Sequence, residues 1–126
     1  MEDKNIIVGK YNQTFNKLLN INIKQTTVVR SKGLPSHLLK HGHAKCLKYI
    51  DSIPDIISNP DFIGINPNET ADSIELVKRY KDNVLIGLKV DTSSNTLYVS
   101  TMFDLQETKL QRRLHSGRLV PYSNIK

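Results

Sequence analysis

The sequence predicts an α+β fold, with helices first, an antiparallel sheet after them and one more helix at the end. Two observations carry this. The second half holds three β-patterned runs joined by short polar turns, the pattern of an antiparallel meander. The first half is broken by Pro and Gly into short amphipathic segments of helical period, and a basic helical stretch follows the last strand.

In chain order, residues 5–10 contain Ile6, Ile7 and Val8 and read as a short strand. Residues 13–19 read as one or two helical turns that bury Phe15, Leu18 and Leu19. Residues 26–30 are rich in β-branched side chains and read as a strand. The run LPSHLLKHGH follows. Pro35 suits a first helical position, where an N–H would lack a partner anyway, and Gly42 suits the stop. Residues 44–51 place Cys46, Leu47 and Ile50 at helical spacing. Ser52 and Pro54 predict a break near Ile53 and a short helix through Ile57, ended by Asn59-Pro60. Residues 62–65 read as a strand and 66–72 as a polar loop.

Residues 73–80 fit a helix or a strand by pattern. The compact turn Lys81-Asp82-Asn83 into an evident strand over 84–90 selects strand. The third strand covers 96–103, with Leu97, Val99, Thr101 and Phe103 expected on one face and Tyr98, Ser100 and Met102 on the other. Asp104 and Glu107 have capping-box spacing for the final helix, which Gly117 ends.

The length of 126 residues predicts a single domain, 1–126. Apolar content of 38% and charged content of 24% suit a soluble, globular chain. The single cysteine, Cys46, cannot form an internal disulfide and reads as a small core residue. No apolar run is long enough to span a bilayer, and MEDKNIIVGK is not a signal peptide. The net charge of +6 is unevenly spread. Residues 4–50 carry nine Lys or Arg and no acid, 51–107 carry ten acids against four bases, and 108–126 carry five bases and no acid. If the basic flanks met in space they would form a positive cleft suited to a polyanion; a generally basic surface kept for solubility is the competing account.

His37 and His41 lie one turn apart on a helix, in a segment without carboxylates, with Lys40 between them. Such a pair can do acid–base work on a phosphate. It can equally be two exposed helix histidines, and spacing alone favours that plainer account. Phosphate-binding glycine loops, Rossmann fingerprints, C-x-x-C pairs and nucleophile elbows are all missing from the sequence. His41-Gly42-His43 lacks a nearby Cys or carboxylate to complete a metal site, so no metal or other cofactor is expected. RNA cleavage by the RNA's own 2′-OH needs only a base, an acid and cations around the phosphorus, and His, Lys, Arg and a Ser or Thr hydroxyl supply these.

The runs HLLKHGH, IPDIISNPDFIGINP, SIELVKRYKDNVLIGLKVD, LYVSTMF and LHSGRL, in that order, resemble the phage-encoded barnase/EndoU/colicin/RelE-like nucleases. The resemblance covers roughly residues 37–119. It implies N-terminal helices packed on a roughly four-stranded antiparallel sheet with a C-terminal helix. It implies a metal-independent endoribonuclease, a toxin-like phage or bacterial effector in the cytoplasm of a bacterium or phage-infected host, with RNA, tRNA among the candidates, as substrate. A cognate inhibitor or immunity protein and no membrane would be the other expectations. The resemblance places His37, His41, Ser100 and Thr101 in the catalytic set, with Arg112 and Arg113 on phosphate. Lys40 and Lys109, in the same basic flanks, are read as substrate-binding with them. A non-catalytic module gripping nucleic acid or protein on the same fold is the alternative.

Overall fold

The structure, a computed structural model, describes residues 5–68 and 73–122. Residues 69–72 of the expected polar loop lie outside the described residues, as do the two ends of the chain. The elements run β1 Asn5–Lys10, α1 Thr14–Leu19, β2 Thr27–Ser31, α2 Leu34–Lys40, a 3₁₀ segment Ala44–Ser52, α3 Ile53–Ser58, β3 Phe62–Ile65, β4 Ser73–Arg79, β5 Asn83–Asp91, β6 Thr96–Asp104, α4 Glu107–Ser116 and β7 Leu119–Pro121.

The sheet corrects the expected architecture. Seven strands, not about four, form one sheet in the order β1-β2-β6-β5-β4-β3-β7, and the helices are interspersed along the chain. The meander β4-β5-β6 is present as expected. Two additions extend it. On one side β2 joins β6 in parallel, through Val28–Leu97 and Val29–Tyr98, and β1 pairs antiparallel with β2. On the other side β3 pairs with β4, and β7 closes the edge on β3. β7 comes from the stretch after Gly117, for which the sequence predicts no element; Pro121 is tolerated there because the outermost strand needs fewer ladder donors.

Alternation along the strands divides two cores. Ile74, Leu76, Val84, Ile86, Leu88, Leu97, Val99 and Met102 bury one face beneath α1, α2, the 3₁₀ segment and α3. Val77 and Leu85 on the other face meet Leu105, Leu110 and Leu119 around α4. Phe15 is fully buried, with Tyr11 and Tyr122 edge-on to it at 5.5 and 5.1 Å between ring centroids. Among the described residues no helix is long and apolar enough to cross a membrane.

A β-bulge changes the expected faces of β6. Gly87 pairs with Thr101 and Leu88 with Val99, so Ser100 is the extra residue. Past it the alternation reverses. Leu97, Val99 and Met102 share the helix-covered core, while Phe103 packs with the α4 core, not with Leu97 and Val99. Gly87 makes the bulge possible, since a Cβ there would stand 2.8 Å from Thr101 Cγ2 and 3.2 Å from Ser100 Oγ. The expected capping box is also corrected. Asp104 ends β6, Gln106 is the residue before α4, and no side chain caps the helix. Glu107 instead accepts hydrogen bonds from Arg79, Asn83 and Gln111.

The segment 44–51, read as a helix, is a 3₁₀ turn series held from outside. Tyr49 donates its hydroxyl to Asp82 Oδ2 at 2.8 Å, and Lys45 and Lys48 approach the same carboxylate at 3.8 and 3.5 Å. The Tyr49 bond is the main cause that holds the Asp82 carboxyl below the usual carboxylate range, with Lys48 and Lys45 adding to it. A lowered carboxyl pKa stabilises the fold above the unfolded value and loses that effect as pH falls through the folded value. Tyr49→Phe is therefore expected to lower Tm at neutral pH, with the difference from wild type shrinking below about pH 4; thermal melts across pH check it. Gly87→Ala is expected to destabilise by about 1–3 kcal/mol, read from the urea midpoint, because Thr101 and the bulge must shift.

Candidate functional site

α2 is anchored by Leu34 and Leu38, which are buried in the helix-covered core. Gly33 starts the helix, with its N–H bonded to Ser31 Oγ, and Gly42 leaves it in a left-handed conformation at φ 77°. The backbone bond from His41 N–H to His37 O sets the two histidines one turn apart, both exposed. Their rings lie 4.3 Å apart between centroids, tilted by 43°.

β2 ends at Ser31 while β6 runs on to Asp104. α2 follows at that place, and a groove of about 390 Å³ opens between them. Ser31, Leu34, His37, Tyr98 and Ser100 line it. His37 and Ser100, distant in sequence, thus share one groove, and the His41 ring lies tilted against His37. The Ser100 hydroxyl donates to the Gly87 carbonyl at 3.1 Å, which orients its oxygen. Thr101, the next residue, is half-buried beside it. Lys40 is exposed on α2 and is not part of the groove wall.

A second groove of about 390 Å³ is lined by Lys109, Arg112, Arg113, Ser116 and Arg118. The expected substrate-binding cations of α4 therefore come together, with Arg118 added. They do not share a groove with the histidines. α2 packs on one sheet face and α4 on the other, so the single cleft between basic flanks is not formed.

The sheet connects the two grooves instead. Gly64, Glu75, Gly87 and Thr101 are successive partners across β3, β4, β5 and β6. Partners in a ladder point to the same face, about 4.8 Å from strand to strand. Glu75, 4% exposed, is buried in this row. Arg118 Nε and one terminal nitrogen donate to its two oxygens at 2.9 Å each, and Arg113 lies at 3.3–3.4 Å from both. Gly64 leaves room for the Arg118 backbone, whose carbonyl occupies the place of a Cβ. Burial pulls the Arg113 pKa below its ordinary value, Glu75 opposes this and Arg118 adds to it. An arginine so perturbed remains a cation at neutral pH.

Glu75 and Arg118 were not singled out in the sequence. The signal for Glu75 was available: an acid between Ile74 and Leu76 in a strand must be buried on one side or partnered. Arg118 carried no such signal, because its role depends on β7. Cys46 is fully buried and its thiol is pushed up to about 11, chiefly by burial and further by Asp104 and Asp82, so it is inert packing at neutral pH. His43 packs near Phe103 at 6.0 Å. Among the described residues, no three His, Cys, Asp or Glu side chains gather as a metal-holding group.

Glu75→Gln keeps the side-chain shape but leaves two arginines facing each other without a counter-charge. Its expected effect is destabilisation on the order of 3 kcal/mol at neutral pH. Urea unfolding at low and high salt measures this, with the defect smaller in high salt because repulsion is screened.

A family model described as phage-Barnase-EndoU-ColicinE5/D-RelE like nuclease3 matches residues 5–112. Comparison with curated proteins and with solved structures yields no significant match. The family match spans β1 through the first half of α4, and so includes the histidine helix, Glu75, the β6 bulge and Arg112. The chain belongs to this family of phage-type, barnase/EndoU/colicin/RelE-like nucleases, and its activity is that of a nuclease.

Proposed function

We propose that the protein is an endoribonuclease that cleaves RNA by attack of the 2′-OH on the adjacent phosphorus, and that it acts as a toxin-like effector in the cytoplasm of a bacterium or phage-infected host. The observation that carries this reading is the convergence of His37 and Ser100 in one groove of a nuclease-family chain. In the reaction one imidazole of the His37–His41 pair takes the 2′-OH proton. The other protonates the departing 5′-oxygen, leaving a 2′,3′-cyclic phosphate and a 5′-OH. The Ser100 hydroxyl, by turning its proton from the Gly87 carbonyl to the phosphate, or the Thr101 hydroxyl beside it, orients a non-bridging oxygen. Lys40 attracts the flanking backbone from α2. Lys109, Arg112 and Arg113 hold phosphates further along the strand, because arginine keeps its charge and offers a fixed fork of donors. tRNA is a substrate to try first, and a toxin of this kind would be paired with a cognate inhibitor or immunity protein.

Incubation of purified protein with total RNA and tRNA in EDTA is expected to yield fragments with 2′,3′-cyclic phosphate ends. Intact RNA beside an active control nuclease would overturn the reading. His37→Ala and His41→Ala are expected to lower the saturated rate by roughly 10²–10⁴-fold and reshape the pH–rate profile, with little change in RNA affinity. The Arg112→Ala/Arg113→Ala pair is expected to weaken binding and reduce the salt slope by about 1.4 units, about 0.7 for each phosphate contact on a single strand. An unchanged slope would remove these arginines from the phosphate contacts.

A further inference from the structure

Beside the histidine groove lies a larger one, of about 490 Å³, on the far side of Tyr98. Asn5, Ser31, Asp91, Thr92, Thr96 and Tyr98 line it. Ser31, Tyr98 and Val99 belong to both grooves, so the two are continuous along the β2–β6 seam. Tyr98 is 38% exposed and is the one aromatic among the described large apolar side chains left open to solvent. Its place in the sheet is rigid. It pairs with Val29 on β2 and with Lys89 on β5, so the ring stands on a two-sided ladder.

The chemistry of the lining separates this groove from the others. The α4 groove carries four cations. Among the described residues the Tyr98 groove carries no Lys or Arg in its wall, one carboxylate, and amide and hydroxyl groups. Asp91 already accepts from Ser93 and Ser94, and those bonds hold its carboxyl below the usual carboxylate range. A phosphate would meet an anion there without a compensating cation. A planar, uncharged group with donors and acceptors on its rim meets a ring to stack on and polar groups around it. The volume lies within the range of small-ligand sites.

We infer that this groove is a nucleobase subsite, in which an unpaired base next to the cleaved bond stacks on Tyr98 while its edge meets Asn5, Thr92 or Thr96. This inference rests on the ribonuclease reading and narrows its substrate. The RNA is single-stranded at the cut, because only an unstacked base can reach the ring. The base is read by the seam beside His37, and the phosphates lead away from it.

The test uses dinucleoside monophosphates with a 2′-deoxy group at the attacking position, which bind without being cleaved. Titration of the intact protein, followed by NMR, is expected to shift the amides of Thr96, Tyr98 and Val99 to saturation. Tyr98→Ala should weaken that binding roughly 10-fold, and Tyr98→Phe should keep it, because the stack and not the hydroxyl holds the base. With cleavable RNA, Tyr98→Ala should blur the sequence preference at the cut while Tyr98→Phe preserves it. Equal binding of wild type and Tyr98→Ala, or equal binding of an abasic ribose phosphate and the dinucleotides, would overturn the subsite. Ring-dependent binding by a protein that cleaves no RNA would leave the subsite standing and remove the ribonuclease reading instead.

Discussion

A carboxylate placed on a covered sheet face loses its hydration and must recover it from donors fixed around it. Glu75 recovers it from Arg118, in a two-point bond, and from Arg113. The consequences extend beyond one ion pair. Arg113 lies on α4 and Arg118 just before β7, so the bond draws both onto the face of β4. β7 can then lie along β3, and Leu119 joins Leu110, Val77 and Leu85 in the second core. The glycine at 64 is part of the same arrangement, since the Arg118 backbone passes where its side chain would be. The α4 groove inherits its charge from this: two arginines are half committed to Glu75, and Lys109 and Arg112 remain beside them.

The bulge at Ser100 does for β6 what Glu75 does for the C-terminal end. A regular strand would send Val99 and Phe103 to one face, and one core would lose a large side chain. The extra residue lets β6 serve the helix-covered core at both Leu97 and Met102 and the α4 core at Phe103. It also lifts two hydroxyl side chains over Gly87, beside the end of β2 where α2 departs. Bulges re-aim side chains and are frequent next to active sites. Here the re-aimed residue is the one that shares a groove with His37.

The parallel seam between β2 and β6 has a similar double role. It adds β1 and β2 to the meander, and because β2 stops early it leaves the far half of β6 open for α2. Tyr98 stands on the seam with a groove on either side. The histidines, the bulge and the exposed ring are thus neighbours through strand termination rather than through a motif.

The sequence by itself determined the local elements and the identity of most chemical groups. The strand pattern of 84–90, the turn at Lys81-Asp82-Asn83, the four residues of β3, the Pro35 entry and the Gly42 exit of α2, and the stop at Gly117 follow from side-chain period and backbone chemistry, which act over a few residues. The pairing of His37 with His41 and the grouping of Lys109, Arg112 and Arg113 follow from the 3.6-residue period for the same reason. Tertiary structure alone decided what these groups face. The β2–β6 pairing, the recruitment of β7 and the join between Glu75 and Arg118 link residues far apart in the chain, and no local pattern encodes the partner. The bulge is of the same kind: a period of two runs unbroken through LYVSTMF in the sequence, and only packing against two cores selects the residue that breaks it. That is why the candidate residues could be named from the chain while their division between two grooves on one sheet could not.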